Sequence, residues 1–152
     1  MSDNHVYTIK KELAQIRYRR HQLIIICGIN GLKVLRDITS EFNIPCVNLN
    51  LRLSEELLEV PVNRRSRKVS QLVDKIINQT AGDVICLEHI ELLFHPQLQQ
   101  DPMRILENIS RNKVILVWWN GDYKNGSLTY AEPGHPEYRL YNRLEASVIV
   151  VN

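Results

Sequence analysis

The residues with the most evident chemistry lie where an apolar strand meets a helix, in the segment Gly28-Ile29-Asn30-Gly31-Leu32-Lys33. The apolar run Leu23–Cys27 precedes this turn, and helical spacing follows it. A glycine-rich turn between a strand and a helix directs backbone N–H groups at an anion, and the positive end of the helix dipole adds to the attraction. The pattern therefore predicts a phosphate site. The residues predicted to bind a nucleotide in this turn are Gly28, Asn30, Gly31 and Lys33.

The turn departs from the full phosphate-loop pattern, G-x-x-x-x-G-K-[ST]. Counted from Gly28, the lysine arrives one residue early, and Leu32 stands where the pattern has glycine. Val34 follows the lysine, so the hydroxyl group that would hold Mg²⁺ is absent. Three interpretations stay open on this evidence: a working nucleotide site, a decayed one, and a tight turn without a ligand.

Two acidic residues and one amide could complete such a site. Glu88 ends a later apolar strand, which is where a Walker B carboxylate holds magnesium, and Glu91 follows three residues on as a second acid. These two are the predicted catalytic residues, and Glu88 is also the predicted metal ligand. Asn120 ends the next strand, where AAA+-type ATPases often carry a polar residue that senses the terminal phosphate. An Asn-Gly turn that binds nothing explains this asparagine equally well.

The elements that must position these residues alternate between helix and strand. Alternation of this kind predicts a single α/β domain over residues 1–152, with a mainly parallel five-stranded sheet between two helix layers. Residues 1–21 form an amphipathic helix at the start. Strands are predicted at 23–27, 45–49, 83–88, 113–119 and 146–151, helices at 31–42, 50–59, 69–81, from 101 onward and at 138–144, and a long loop at 120–136.

Composition narrows the class of protein. Apolar residues make up 44% of the chain and charged residues 24%, which is typical of a globular protein, and the net charge of +2 indicates no partner. Cys27, Cys46 and Cys86 each lie in an apolar run, and their spacing fits neither a zinc motif nor a disulfide framework, so buried free thiols are expected. No signal sequence or membrane-length apolar run is visible, which predicts a cytoplasmic protein without membrane contact.

The distribution of charge along the chain indicates possible partners better than the net charge does. Two basic clusters could contact double-stranded DNA or an acidic partner, although solvated helix surfaces explain them equally well. The residues concerned are Arg17, Arg19 and Arg20 in the first cluster, and Arg64, Arg65, Arg67 and Lys68 in the second. No helix-turn-helix, zinc-finger or RNP pattern accompanies them.

Three long segments resemble one protein family. They are NLNLRLSEELLE at 48–59, LEHIELLFHPQLQQDPMRILENISRN at 87–112 and WWNGDYKNGSLTYAEPGHPEYRLY at 118–141. On these segments the chain is similar to the BrxF family, the small P-loop-containing proteins of BREX type III bacteriophage-defence systems. The resemblance covers about residues 20–145. It implies a P-loop NTPase-type fold, with ATP and Mg²⁺ as the cofactors to be considered.

The resemblance also implies partners: a BrxC-like ATPase, a methyltransferase and a PglZ-type protein. Family members typically have a hydroxyl residue after the lysine and an aspartate at the strand end, where this chain has Val34 and Glu88. Both differences weaken magnesium-dependent phosphate chemistry. Two hypotheses follow, an accessory assembly or DNA-associated subunit with a degenerate P-loop, and an AAA+-like ATPase subunit. A homo-oligomer is compatible with either, since the sequence does not fix the oligomeric state.

Overall fold

The computed structural model describes residues 2–152, with side chains described from residue 4, so only Met1 of the predicted first helix lies outside the described backbone. The helices of the described chain are α1 (Ser2–Ile16), α2 (Gly31–Glu41), α3 (Leu49–Leu58), α4 (Arg65–Gln79) and α5 (Pro102–Ile109). The strands are β1 (Leu23–Cys27), β2 (Cys46–Asn48), β3 (Val84–Glu88), β4 (Val114–Trp118), β5 (Gly121–Lys124), β6 (Ser127–Tyr130), β7 (Arg139–Tyr141) and β8 (Ser147–Val150). Short 3-10 turns lie at Val62–Arg64, Glu91–Phe94 and Pro96–Leu98.

Five of the strands form one parallel sheet in the order β2-β3-β4-β1-β8. This confirms the predicted α/β class and the five-stranded sheet. All of β1 is buried because helices cover both faces of the sheet. On one face Ile24 and Ile26 pack with α1 and α2, and on the other Leu23 and Ile25 pack with α3, α4 and α5.

Local signals fix the helix starts. Asp101 caps α5, accepting a hydrogen bond from the Arg104 N–H at 3.4 Å, with Pro102 at the first helical position as predicted. Asn48 caps α3, its Oδ1 accepting from the Leu51 N–H at 3.0 Å, so this helix begins one residue earlier than predicted.

The prediction for residues 120–144 was wrong. The segment read as a long loop and a helix forms a second, antiparallel sheet, β5-β6-β7. Asn125 and Gly126, with φ of 52° and 79°, make the two-residue turn of the β5-β6 hairpin, where both central residues need positive φ. The side chain of Trp119 anchors this sheet, because its indole N–H donates to the Thr129 carbonyl oxygen at 2.9 Å.

The Trp119 ring lies in an aromatic cluster that joins the two sheets. Phe94 and Tyr130 stack with their ring centroids 3.6 Å apart, and Trp119 meets both edge-on. Burial raises the pKa of Tyr130 to about 12, with the nearby Glu91 charge as the second cause. The second sheet is therefore part of the same core as β4 and does not form a detached arm.

Candidate functional site

The carboxyl ends of β1, β3 and β4 lie side by side at one edge of the sheet. Ile26 pairs with Trp118, and Leu87 pairs with Val117, so the ends of these strands are neighbours. The direction in which successive strands are added to the sheet reverses at β1. Strand β1 connects through α2, on one face, to the edge strand β2, whereas the later connections cross the other face. Ligands of parallel α/β sheets bind at such a reversal. The structure thus brings the Gly28 turn, Glu88 and Asn120 to the edge where a ligand is expected.

The turn after β1 is closed by the C-terminal end of the chain. The Asn30 N–H donates to the Val151 carbonyl oxygen at 3.0 Å, and the Val151 N–H donates to the Cys27 oxygen at 2.8 Å. The Gly31 N–H donates to the Gly28 oxygen at 3.0 Å. The N–H groups of Asn30 and Gly31, two residues predicted to bind a nucleotide, are thus engaged inside the chain.

The closure leaves little space at the turn. Gly28 has φ of 103°, and a Cβ atom there would collide with the Val151 carbonyl. A Cβ at Gly31 would lie 2.6 Å from the Trp118 ring, so this tryptophan lies against the start of α2. Trp119, the next residue, is fully buried.

Of the other residues discussed at this edge, Lys33 and Asn120 are exposed to solvent and Val34 is buried. Lys33 is exposed beside the turn. Val34 is 1% exposed and packs with α1 and β1, so the position after the lysine belongs to the core. Asn120 is exposed where β4 leads into β5.

The two predicted catalytic acids point to different layers. Glu88 Oε1 lies 3.6 Å from Arg36 Nε, which is on α2, and the Glu88 side chain is 18% exposed. Glu91 Oε2 accepts from the amide of Asn50 on α3 at 2.9 Å, and Asn50 Oδ1 accepts from the Leu92 N–H at 2.7 Å. Helices α2 and α3 cover opposite faces of the sheet, so the structure does not direct the two carboxylates at one point.

Glu91 instead lines a separate cleft of ≈ 530 Å³ beside α3. Its wall includes Asn48, Asn50, His89, His95 and Glu137. His89 has φ of 57°, a left-handed conformation that carries the chain from β3 into this cleft. The hydrogen bonds of Asn50 give Glu91 a role in holding the loop after β3 against α3.

The two basic clusters belong to different helix layers. Arg17, Arg19 and Arg20 lie in the turn after α1, which ends at Ile16, earlier than the predicted residue 21. The residues of the second cluster are Arg64, Arg65, Arg67 and Lys68, at the start of α4 on the opposite face of the sheet. Arg65 Nε donates a hydrogen bond to the Val60 carbonyl oxygen at 3.0 Å, so this side chain links the start of α4 to the segment before it. Each cluster is therefore a separate surface.

Three residues that the sequence analysis did not assign to any site come together next to Glu88. Cys46 is exposed, against the expectation that all three thiols are buried, because β2 is an edge strand. It pairs in register with the buried Cys86. Burial, then the neighbouring Cys46, raises the pKa of the Cys86 thiol. Arg36, the partner of Glu88, is the third.

Spacing along the chain gave no signal for these contacts, since sheet register and helix packing create them. Helices of the described chain are all too short or too polar to cross a membrane. Comparisons with protein-family models, curated proteins and solved structures found no match to this chain.

Proposed function

We propose that this chain is an accessory subunit of a BREX-type bacteriophage-defence system, with a P-loop-type fold that supports assembly and does not hydrolyse ATP. The pathway follows from the resemblance of its three long segments to the BrxF family. The geometry of the turn supports the absence of hydrolysis. The observation that carries it is the hydrogen bond from the Asn30 N–H to the Val151 oxygen.

A phosphate group would have to displace this bond. Each internal hydrogen bond stabilises a fold by about 1 kcal/mol, and leaving a buried partner unsatisfied costs more. Within the part of the chain that the structure describes, every buried side-chain nitrogen and oxygen has a hydrogen-bond partner. No buried polar side chain of that part therefore lacks a partner that a ligand would supply.

Magnesium chemistry meets two further obstacles. Val34 is a core residue, so the helix offers no hydroxyl ligand after Lys33. Glu88 already has a cation beside it in Arg36. A magnesium ion would lack one usual protein ligand and compete with a guanidinium for the other.

The surface of α3 supports an assembly role. Leu51 and Leu58, seven residues apart on one helix face, are 54% and 77% exposed, and Val62 just beyond them is 73% exposed. An apolar group of this kind is typical of a surface that a protein partner covers. Its expected partners are the other BREX proteins, of which the BrxC-like ATPase, the methyltransferase and the PglZ-type protein are the candidates.

The second candidate function is ATP binding and hydrolysis by the same chain. It is favoured by one arrangement, the exposed Lys33 at the edge shared with Glu88 and Asn120. In this hypothesis Lys33 neutralises the phosphates and Glu88 positions Mg²⁺. The third role, polarisation of water by Glu91, is not supported, because Glu91 is hydrogen-bonded to Asn50 on the other face of the sheet.

Equilibrium binding of labelled ATP, with and without Mg²⁺, separates the two. We expect no binding at millimolar ATP for the wild type or for Lys33→Ala, with exposed Lys124→Ala as the matched control. Tight magnesium-dependent binding that is lost only in Lys33→Ala would overturn the proposal.

Assembly has its own test in cells that carry the complete defence system. Lys33→Ala should leave protection against phage unchanged, whereas Leu58→Glu should reduce both protection and co-purification with the other BREX proteins. Loss of protection in Lys33→Ala with normal protein levels would contradict an assembly role that is independent of nucleotide.

DNA association by the basic clusters is tested by filter binding at two salt concentrations. If Arg64 and Arg67 neutralise phosphates, the affinity for DNA falls as the salt concentration rises. Replacing both by alanine should then reduce the slope of log affinity against log salt concentration by about 2, since two fewer counterions are released. The same replacement of Arg17 and Arg20 tests the other cluster separately.

A further inference from the structure

The facing strands β2 and β3 present two thiols and a carboxylate on one face of the sheet. Cys46 lies opposite Cys86, and Glu88 is two residues beyond Cys86 on the same strand. Side chains two residues apart on a strand share a face. That face is the one covered by α2, because Cys86 packs with Val34 and Glu88 meets Arg36.

The three potential ligand atoms converge. The sulfur atoms of Cys46 and Cys86 and a carboxylate oxygen of Glu88 all lie within 4.8 Å of one another. With zinc–sulfur bonds of about 2.3 Å and zinc–oxygen bonds of about 2.1 Å, tetrahedral ligands stand about 3.6–3.8 Å apart. Shifts of about 1 Å in the side chains therefore suffice to bind an ion. Cys46 has room for such a shift, because it is exposed on the edge strand β2.

We propose that Cys46, Cys86 and Glu88 form a binding site for one thiophilic divalent cation of the Zn²⁺ class, with water in the fourth position. Two sulfur ligands favour such an ion over Mg²⁺, which prefers oxygen. Arg36 Nε lies 3.6 Å from Glu88 Oε1, so the guanidinium and the metal would have to share this carboxylate, which has a second oxygen to offer. Access is open from the Cys46 side, which is exposed.

The ion would join the edge strand to its neighbour. Strand β2 has three residues and pairs only with β3 in the sheet order, and it ends at Asn48, the cap of α3. A metal shared by Cys46 and Cys86 holds this strand and the start of α3 in place. The inference is independent of the proposed assembly role, since it requires neither nucleotide nor partner.

Anaerobic titration of the reduced chain with Co²⁺ tests the site. We expect thiolate-to-cobalt charge transfer in the near ultraviolet and intense visible bands of tetrahedral cobalt, saturating at one ion per chain. Zn²⁺ should abolish the bands, and excess Mg²⁺ should leave them. Zn²⁺ should also raise the unfolding temperature of the wild type.

The cysteines offer matched variants. Cys46→Ser, at an exposed position that tolerates the change, should weaken binding by more than about 100-fold, since even outer-shell losses weaken metal sites by about 10–100-fold. It should also remove the thermal stabilisation by Zn²⁺. Cys27→Ala, on β1, should leave the spectrum unchanged.

Glu88→Gln should weaken cobalt binding while keeping the sulfur bands. The proposal is overturned if the wild type shows no charge-transfer band at millimolar Co²⁺. It is also overturned if the band survives in Cys46→Ser, or if it is lost in a folded Cys27→Ala variant.

Discussion

Replacement of Gly28 by alanine tests whether the C-terminal end of the chain closes the turn after β1. With φ of 103°, an alanine is strained by about 1–2 kcal/mol. Its Cβ would also collide with the Val151 carbonyl, which must then move. Movement breaks the hydrogen bonds of Val151 with Asn30 and Cys27, which together stabilise the fold by about 2 kcal/mol. The expected loss of unfolding free energy is about 3–4 kcal/mol.

Gly134→Ala is the matched control. Gly134 also has positive φ, 93°, but a Cβ there has no atom within 4 Å. Gly134→Ala should therefore lower the unfolding free energy only by the backbone strain, about 1–2 kcal/mol. Urea unfolding followed by far-UV circular dichroism measures both variants, and with a slope of about 2 kcal/mol/M the midpoint of Gly28→Ala should fall by about 1.5–2 M. Equal losses in the two variants would refute the closed turn, and with it the main argument against phosphate binding.

Hydrogen bonding and burial give four further predictions. Trp119→Phe should lower the unfolding free energy by about 1–3 kcal/mol in urea titrations, because it leaves the Thr129 oxygen without its indole donor. Asn50→Ala, measured the same way, should lose about 2 kcal/mol, because it removes the two hydrogen bonds that hold the loop after β3. Mass spectrometry of native metal-free protein treated with iodoacetamide at pH 8 should show modification of Cys46 alone, since burial raises the pKa of Cys27 to about 11. The unfolded chain loses that proton near pH 9.0, so unfolding free energy should fall as the pH rises from 9 to 11, and less so in Cys27→Ala.

The parallel sheet could be predicted because its strands are buried on both faces. Continuous apolar runs such as Leu23–Cys27 and Val114–Trp118 stand out from the helical spacing between them. The amphipathic spacing of α4 likewise placed Val69, Val73 and Ile76 in the core. Boundaries shifted by a few residues where capping decided them, as at Asn48.

The antiparallel sheet was missed although the sequence carried one strong signal for it. Asn125-Gly126 is a typical two-residue hairpin turn, and the alternating residues of β6 follow it. Strand β7 had no local signal, because its register is set by pairing with β6 and by the packing of Tyr141 against Trp119. Contacts between distant residues overrode the helical spacing there.

The same limit applies to the site. Spacing located the turn, Lys33 and Glu88 at strand ends on one edge of the sheet, and the sheet order confirms that they share this edge, with β4 between β1 and β3. It could not show that Val151, from the other end of the chain, accepts a hydrogen bond from the turn. Nor could it show that Cys46 faces Cys86 across two strands. Sequence identifies which groups stand at the edge, while register and packing decide which partners they have.

Those partners explain why an edge that resembles a nucleotide site need not hold a nucleotide. In a P-loop protein that hydrolyses ATP, the N–H groups of the turn donate hydrogen bonds to phosphate, and the carboxylate at the strand end binds Mg²⁺. Here Val151 supplies the acceptor and Arg36 supplies the positive charge, the first from the residue after β8 and the second from α2. Because both come from within the chain, a phosphate would compete with Val151 for the Asn30 N–H, and Mg²⁺ would compete with Arg36 for Glu88. The proposed assembly role would then fall to the exposed apolar side chains of α3, Leu51 and Leu58.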